Sequence, residues 1–267
     1  MSLALGGVYT YAHAFIVDAR WQYFTMGVTD FVILLPPSEG KAAGGDATIE
    51  WAADSGIFGS SLFPQRQEIA KQLRKVKGGD QKLLGVGGAH LTRAQSVNAS
   101  LINSPTLPAW QRYTGVVWDH LDLASMTAAK RKSFTQRILV PSGLLGLVRA
   151  DDPVPDYRLK MGSRFAPFGL MSKWWREALT EALTATVKKR VVVDLLPNEH
   201  RVAFDMTVIP GITRVDLVAH SGGVVGGHNA KAAKGLLAQH LLTSGDEDIA
   251  RSVKAFSHPE YSAKVAI

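Results

Sequence analysis

Residues 31–41 read FVILLPPSEGK. Phe31 to Leu35 are five apolar residues in a row, a composition suited to a strand buried on both faces. Pro36 and Pro37 end it, because proline has no N–H to give to a ladder. The loop that follows carries Lys41 past the carboxyl end of the strand, where open α/β sheets form their crevice. A lysine there can clamp a phosphate, or serve as an amine nucleophile if neighbouring cations lower its pKa. A solvated turn lysine is the plainer alternative. The spacing Gly-x4-Gly-Lys-Ser/Thr is missing, so this is not a Walker A loop.

Working outward, ILV at 138–140 and RVVVDL at 190–195 are two more buried strands, the first ended by Pro141. Helical spacing predicts helices over 64–77, within 83–99, over 113–122 and 125–136, and over 172–187 with Ser172 as N-cap and Trp175, Leu179 and Leu183 inward. SGLLGL at 142–147 opens a short loop or helix. YRLKM at 157–161 alternates and predicts a strand. Residues 202–210 and 213–219 read as a hairpin around Gly211. A helix follows over 229–242, and the tail from Ile249 holds one more. With no internal repeat and no long linker, this pattern predicts a mixed α/β (α+β) fold. It forms a single compact domain over 31–267 around a central mixed sheet.

Residues 1–30 are expected to be an extension outside the fold. No basic residue precedes Arg20, so the stretch does not fit a signal peptide. No uninterrupted apolar run reaches the roughly 18 residues of a membrane span. The expectation is a cytoplasmic protein without a membrane partner.

The chain of 267 residues contains no cysteine, which excludes a disulfide framework, a zinc–cysteine site and a thiol nucleophile. Lys and Arg number 30 against 23 Asp and Glu, a net charge of +7 that favours phosphate-bearing partners, nucleic acid first. LLGVGGAHL at 83–91 has the apolar-Gly-apolar-Gly pattern of a helix-hairpin-helix, with the preceding basic helix placing the element near 66–99. Gly85, Val86 and Gly87 would form its hairpin. There the backbone needs φ > 0 and close approach to a phosphate, so a β-branched residue at Gly85 or Gly87 should weaken binding. Such an element grips backbone rather than sequence. An ordinary Gly-rich turn is the alternative. Lys231 and Lys234 share a helix face behind a second Gly-rich loop. His200, His220 and His228 with Glu199 lack the spacing of a helical zinc site, so no metal and no cofactor is expected. Ser142 lacks a Gly-x-Ser-x-Gly context. Of Trp174 and Trp175, one could stack a base and at least one belongs to the core.

Several of these segments, in order, resemble the YaaA peroxide-stress family: FVILLPPSEGK (31–41), the Gly hairpin, YTG (113–115), SGLLG (142–146), YRLKMG (157–162), KWW (173–175), LLPNEH (195–200) and NAKAAKGLLAQHLL (229–242). The resemblance implies a DNA-binding protein of the peroxide-stress response, with a helix-hairpin-helix beside a basic cleft. Its cleft residues would be Ser38, Lys41, Tyr157, Arg158, Lys173, Asn198, Glu199, Lys231 and Lys234. The partner is then DNA, gripped independently of sequence, or a nucleotide-like anion. The other reading is an enzyme acting on a nucleotide, a nucleobase or a damaged-DNA lesion. Lys41 would be its nucleophile or clamp, with Glu199 as acid or base and Tyr157 beside them.

Overall fold

The apolar runs found in the sequence meet in one sheet. The computed structural model describes residues 30–188, 190–223, 225–244 and 248–266; the proposed extension lies, but for Asp30, outside the described residues. The sheet's six strands are β1 (Phe31–Leu34), β2 (Ile138–Ser142), β3 (Gly146–Arg149), β4 (Val191–Asp194), β5 (Ile212–Ala219) and β6 (Tyr261–Val265). Their spatial order is β6-β5-β4-β1-β2-β3. The inner four are parallel, with Phe31 opposite Val191 and Ile33 opposite Ile138. The outer strands β3 and β6 are antiparallel to their neighbours. No β1 residue is more than 4% exposed, as a parallel strand covered on both faces requires.

The chain leaves β1 for β2 on one side, passes back over β1 to β4 on the other, and moves outward to β5. Strand order therefore reverses between β1 and β4. The crevice outside their carboxyl ends is lined by the loop after Leu34 and the segment after Asp194.

The helices fix this frame at close approaches. Met171–Val187 buries Trp175, Leu179 and Leu183, and Trp175 Nε1 donates to the Gly143 carbonyl at 2.9 Å. Gly227–Ser244 crosses Val116–Leu121 at Gly235, where a Cβ would stand 2.3 Å from the Val117 carbonyl oxygen. Gly59–Lys75 starts five residues before the expected Pro64, which falls just past the first turn. Its Arg66 is 1% exposed and donates to the carbonyls of Ser55 (2.7 Å), Leu145 (2.8 Å) and Leu147 (2.9 Å). Arg112 is buried likewise, donating to Ala42, Gly44 and Val154 carbonyls. These two cations tie loops together and are not surface charge.

Several expectations change. Residues 157–161 alternate buried and half-buried as predicted, but join no strand. The Arg158 amide and carbonyl bond instead to the Asn98 side chain, at 2.9 and 2.8 Å. Residues 202–210 form turns after the short helix Asn198–Arg201, so there is no hairpin at Gly211; β5 pairs with β4 and with β6. The Asp205 carboxylate accepts from the Thr207 amide and hydroxyl, which holds the turn against extension. Residues 143–145 are the tight turn joining β2 to β3. The tail holds the helix Ile249–Ala255 and then β6. Residues 113–122 split into a two-residue ladder with Gly40–Lys41 and the helix Val116–Leu121. Among the described residues no helix is long and apolar enough to cross a membrane.

Candidate functional site

At the reversal point lies a small pocket of about 50 Å³, lined among others by Ser38, Lys41, Tyr157, Arg158, Glu199 and His200. Glu39, Gly143 and Lys160 also line it. A site of that volume has room for a few waters or a group of phosphate size. Beside it runs a wider groove of about 1070 Å³. Gln72, Lys82, Gly85 and Arg164 to Pro167 are among its lining, and it shares Lys160 and Glu199 with the pocket.

Lys41 enters the pocket from the strand-loop-strand that starts at β1. Its Nζ donates to the Ser38 carbonyl at 3.0 Å and stands 4.3 Å from the Tyr157 ring centroid. Burial lowers the Lys41 ammonium to about 7; Arg158 and Arg112 add to this, while Asp156 and Glu39 oppose it. A sizeable fraction is therefore a free amine near neutral pH, which a nucleophile requires.

Below it, the Tyr157 hydroxyl bonds to Ser142 Oγ at 2.7 Å and to the Tyr113 hydroxyl at 2.9 Å. Ser142 Oγ accepts from the Leu145 amide at 3.0 Å. Ser142 thus has a structural role in the hairpin turn. Burial pushes the Tyr157 phenol up to about 12, and burial with the neighbouring Tyr157 raises the Tyr113 phenol well above its ordinary value, so both are neutral hydroxyls.

Glu39 bridges two cations: Oε1 to Lys160 Nζ at 2.7 Å and Oε2 to Arg158 at 3.0 Å. Partial burial raises its carboxyl, but Lys160 and Arg158 outweigh that and hold it below the usual carboxylate range. Arg158 Nε also donates to the Leu84 carbonyl at 3.0 Å, joining the pocket to the Gly turn.

The turn itself consists of the helix Gln81–Leu84, Gly85, Val86 and Gly87, then the helix Gly88–Ala99. Gly85 has φ 62° and Gly88 φ 55°, the left-handed region; Gly87 has φ −129°, which any residue adopts. The argument for glycine from φ > 0 therefore holds at Gly85 and not at Gly87. Gly85 borders the groove with Lys160 beside it.

The segment after β4 supplies Glu199, which lies against Gly162, and His200, whose buried Nδ1 has no hydrogen-bond partner among the described residues. Burial lowers the His200 pKa, with Lys234 adding to it against Glu199 and Glu39, so its imidazole is neutral. Asn198 accepts from Arg201 at 2.8 Å, and Arg201 pairs with the buried Asp194 at 2.6 Å. Lys234 donates to the Leu195 carbonyl; burial brings it to about 8, with Arg201 adding and Asp194 and Asp216 opposing. Asn198 and Lys234 thus brace the Glu199 loop. Lys173 and Lys231 are exposed, and among the described residues neither lines the pocket or the groove. His220 bonds to the Pro259 carbonyl, and His228 lies edge-on to His120 with centroids 6.5 Å apart. Trp175 is core, and Trp174 is partly buried against Phe168 at 4.8 Å.

Five of the expected residues therefore converge, and Glu39, Lys160 and His200 join them. Lys160 was foreshadowed by its place two residues after Arg158 in an alternating segment. Nothing local in the sequence pairs Glu39 with either cation.

A mixed open sheet, with a lysine in the crevice where its parallel strands reverse order, defines an α/β protein whose pocket lies between the loops after β1 and β4. Residues 31–266 match the family described as Peroxide stress protein YaaA, and the chain belongs to that family. It is 33% identical over 222 residues to a UPF0246 protein of Streptomyces coelicolor, covering 80% of this chain and 84% of that one. A UPF0246 protein of Corynebacterium glutamicum is 32% identical over 227 residues, covering 81% and 86%. An uncharacterized protein of Campylobacter jejuni is 26% identical over 210 residues, covering 77% and 82%.

Proposed function

We propose that this protein grips the phosphate backbone of DNA, independently of sequence, as a cytoplasmic member of the peroxide-stress response. The observation that carries the reading is the groove of about 1070 Å³ beside the Gly85 turn, with Lys82, Lys160 and Arg164 on its walls. Three cations and a left-handed glycine in its lining suit a helix-hairpin-helix beside a basic cleft. The net charge of +7 favours the same partner.

A second reading is favoured by Lys41, whose amine is partly unprotonated and lines the small pocket. In it the protein acts on a nucleotide, a nucleobase or a DNA lesion, with Lys41 as nucleophile and Glu199 or His200 moving the proton.

Fluorescence anisotropy of labelled duplex, single-stranded and abasic DNA at two salt concentrations tests both. The backbone-grip reading expects binding that falls steeply with salt and weakens in Gly85→Val. Preference for abasic DNA, with a borohydride-trapped adduct lost in Lys41→Ala, would favour the enzyme. No binding at low salt would remove the DNA reading.

A further inference from the structure

We infer that Arg158 and Lys160 form a seat for a single phosphate group, and that Glu39 is the carboxylate filling that seat when no ligand is bound. The inference deepens the phosphate-gripping reading above and rests on it for the direction in which the cleft is used.

Each Glu39 oxygen takes a different cation, Lys160 at 2.7 Å and Arg158 at 3.0 Å. Two oxygens of a phosphate can bridge the same two donors, and guanidinium and ammonium both suit phosphate. Two cations against one carboxylate leave a positive charge. A phosphate monoester, near −2 at neutral pH, matches the pair better than a diester or a carboxylate does.

Arg158 is held by Asn98 on its backbone and by the Leu84 carbonyl on its Nε, so it stays in place without Glu39. The backbone next to Lys160 lies against Gly143, where a Cβ would stand 2.6 Å from the Leu159 carbonyl oxygen. The Glu39 side chain is 63% exposed, against 20% for Arg158 and 34% for Lys160. The carboxylate is thus the member that can swing into water while the cations remain. Exposed ion pairs are weak, so displacement is easy.

Lys160 borders both the small pocket and the wide groove. A phosphate seated there would lie where a ligand in the groove meets the Lys41 pocket.

The test compares the wild type with Glu39→Gln, Lys160→Gln and the control Glu50→Gln. Glu50 is exposed on the separate sheet formed by Asp46–Glu50, Pro105–Pro108 and Pro153–Pro155, so its variant adds the same charge elsewhere. The ligands are a 5′-phosphorylated oligonucleotide, the same oligonucleotide without its phosphate, and inorganic phosphate. The seat predicts that Glu39→Gln binds the phosphorylated oligonucleotide about three- to tenfold more tightly than the wild type, that Glu50→Gln does not, and that Lys160→Gln binds it more weakly than the wild type. Equal tightening in Glu39→Gln and Glu50→Gln, or weaker binding in a folded Glu39→Gln, overturns it. If no oligonucleotide binds but inorganic phosphate binds more tightly to Glu39→Gln, the seat stands and the DNA reading falls. If oligonucleotides bind indifferently to Glu39 and Lys160, the DNA reading stands and the seat falls.

Discussion

The Lys41 ammonium stands 4.3 Å from the centroid of the Tyr157 ring, over a hydroxyl that is itself hydrogen-bonded to Ser142 and Tyr113. The ring face offers the cation a weak partner, and burial works against the charge. The pair therefore joins a lysine that protonates with difficulty to a phenol that ionises with difficulty.

Lys41 should make stability depend on pH. Below about 7 both folded and unfolded chains hold the proton. Between there and the unfolded value of roughly 10.4, only the unfolded chain does, so stability rises with pH across that window. Thermal melts of Lys41→Met are expected to exceed the wild type most at pH 7 and below. The gap should narrow as pH approaches 10. A gap independent of pH would mean that the lysine is not held near neutrality.

Tyr157→Phe should destabilise the fold by about 1–3 kcal/mol, because it leaves the buried Tyr113 hydroxyl without its partner. Tyr113→Phe added to it should cost less than the sum of the two single changes. Urea titrations of the four proteins measure the coupling, and strict additivity would show that the two hydroxyls do not share a hydrogen bond in solution.

Gly85 and Gly87 should separate under substitution. With φ at 62°, Gly85→Ala is expected to cost about 1 kcal/mol. Gly87, at φ −129° with Gln81 no closer than 3.6 Å to a built Cβ, should accept alanine with little loss. Melting temperatures of the two variants decide it; equal losses would mean that the turn has another shape.

Gly235→Ala tests the helix crossing. Alanine gains up to about 1 kcal/mol of helix propensity over glycine. The added methyl, however, would meet the Val117 carbonyl oxygen at 2.3 Å, a backbone atom that cannot rotate away. The clash should win, and the variant should melt lower. A higher melting temperature would mean that the helices can move apart freely.

The strands buried on both faces were legible in the sequence, because FVILL, ILV and RVVVDL have no other place to go than the middle of a parallel sheet. Tyr157–Met161 was legible as an alternation but not as a pairing. Its partners are the Asn98 amide and the turn at Gly143, distant in sequence and without a period. Residues 202–210 misled because Val202, Phe204 and Val208 look like a strand face, whereas Asp205 folds them into a turn. At the site, Ser38, Lys41, Tyr157, Arg158 and Glu199 line one pocket. Lys173 and Lys231 do not, since charge alone does not say which way a helix faces. Arg66, in the helix read as basic, is interior.

The place of β1 at the middle of the sheet has a consequence for biosynthesis. Phe31 pairs with Val191, 160 residues later, and Ile33 with Ile138. At 5–20 residues per second, roughly 8–32 s separate the emergence of β1 from that of its β4 partner. During that interval an apolar strand waits at the ribosome with an edge unpaired, and the crevice after β4 does not yet exist. Ribosome-bound chains that stop short of Asp194 are thus expected to need chaperone cover, and the molecule becomes competent only late in its own translation.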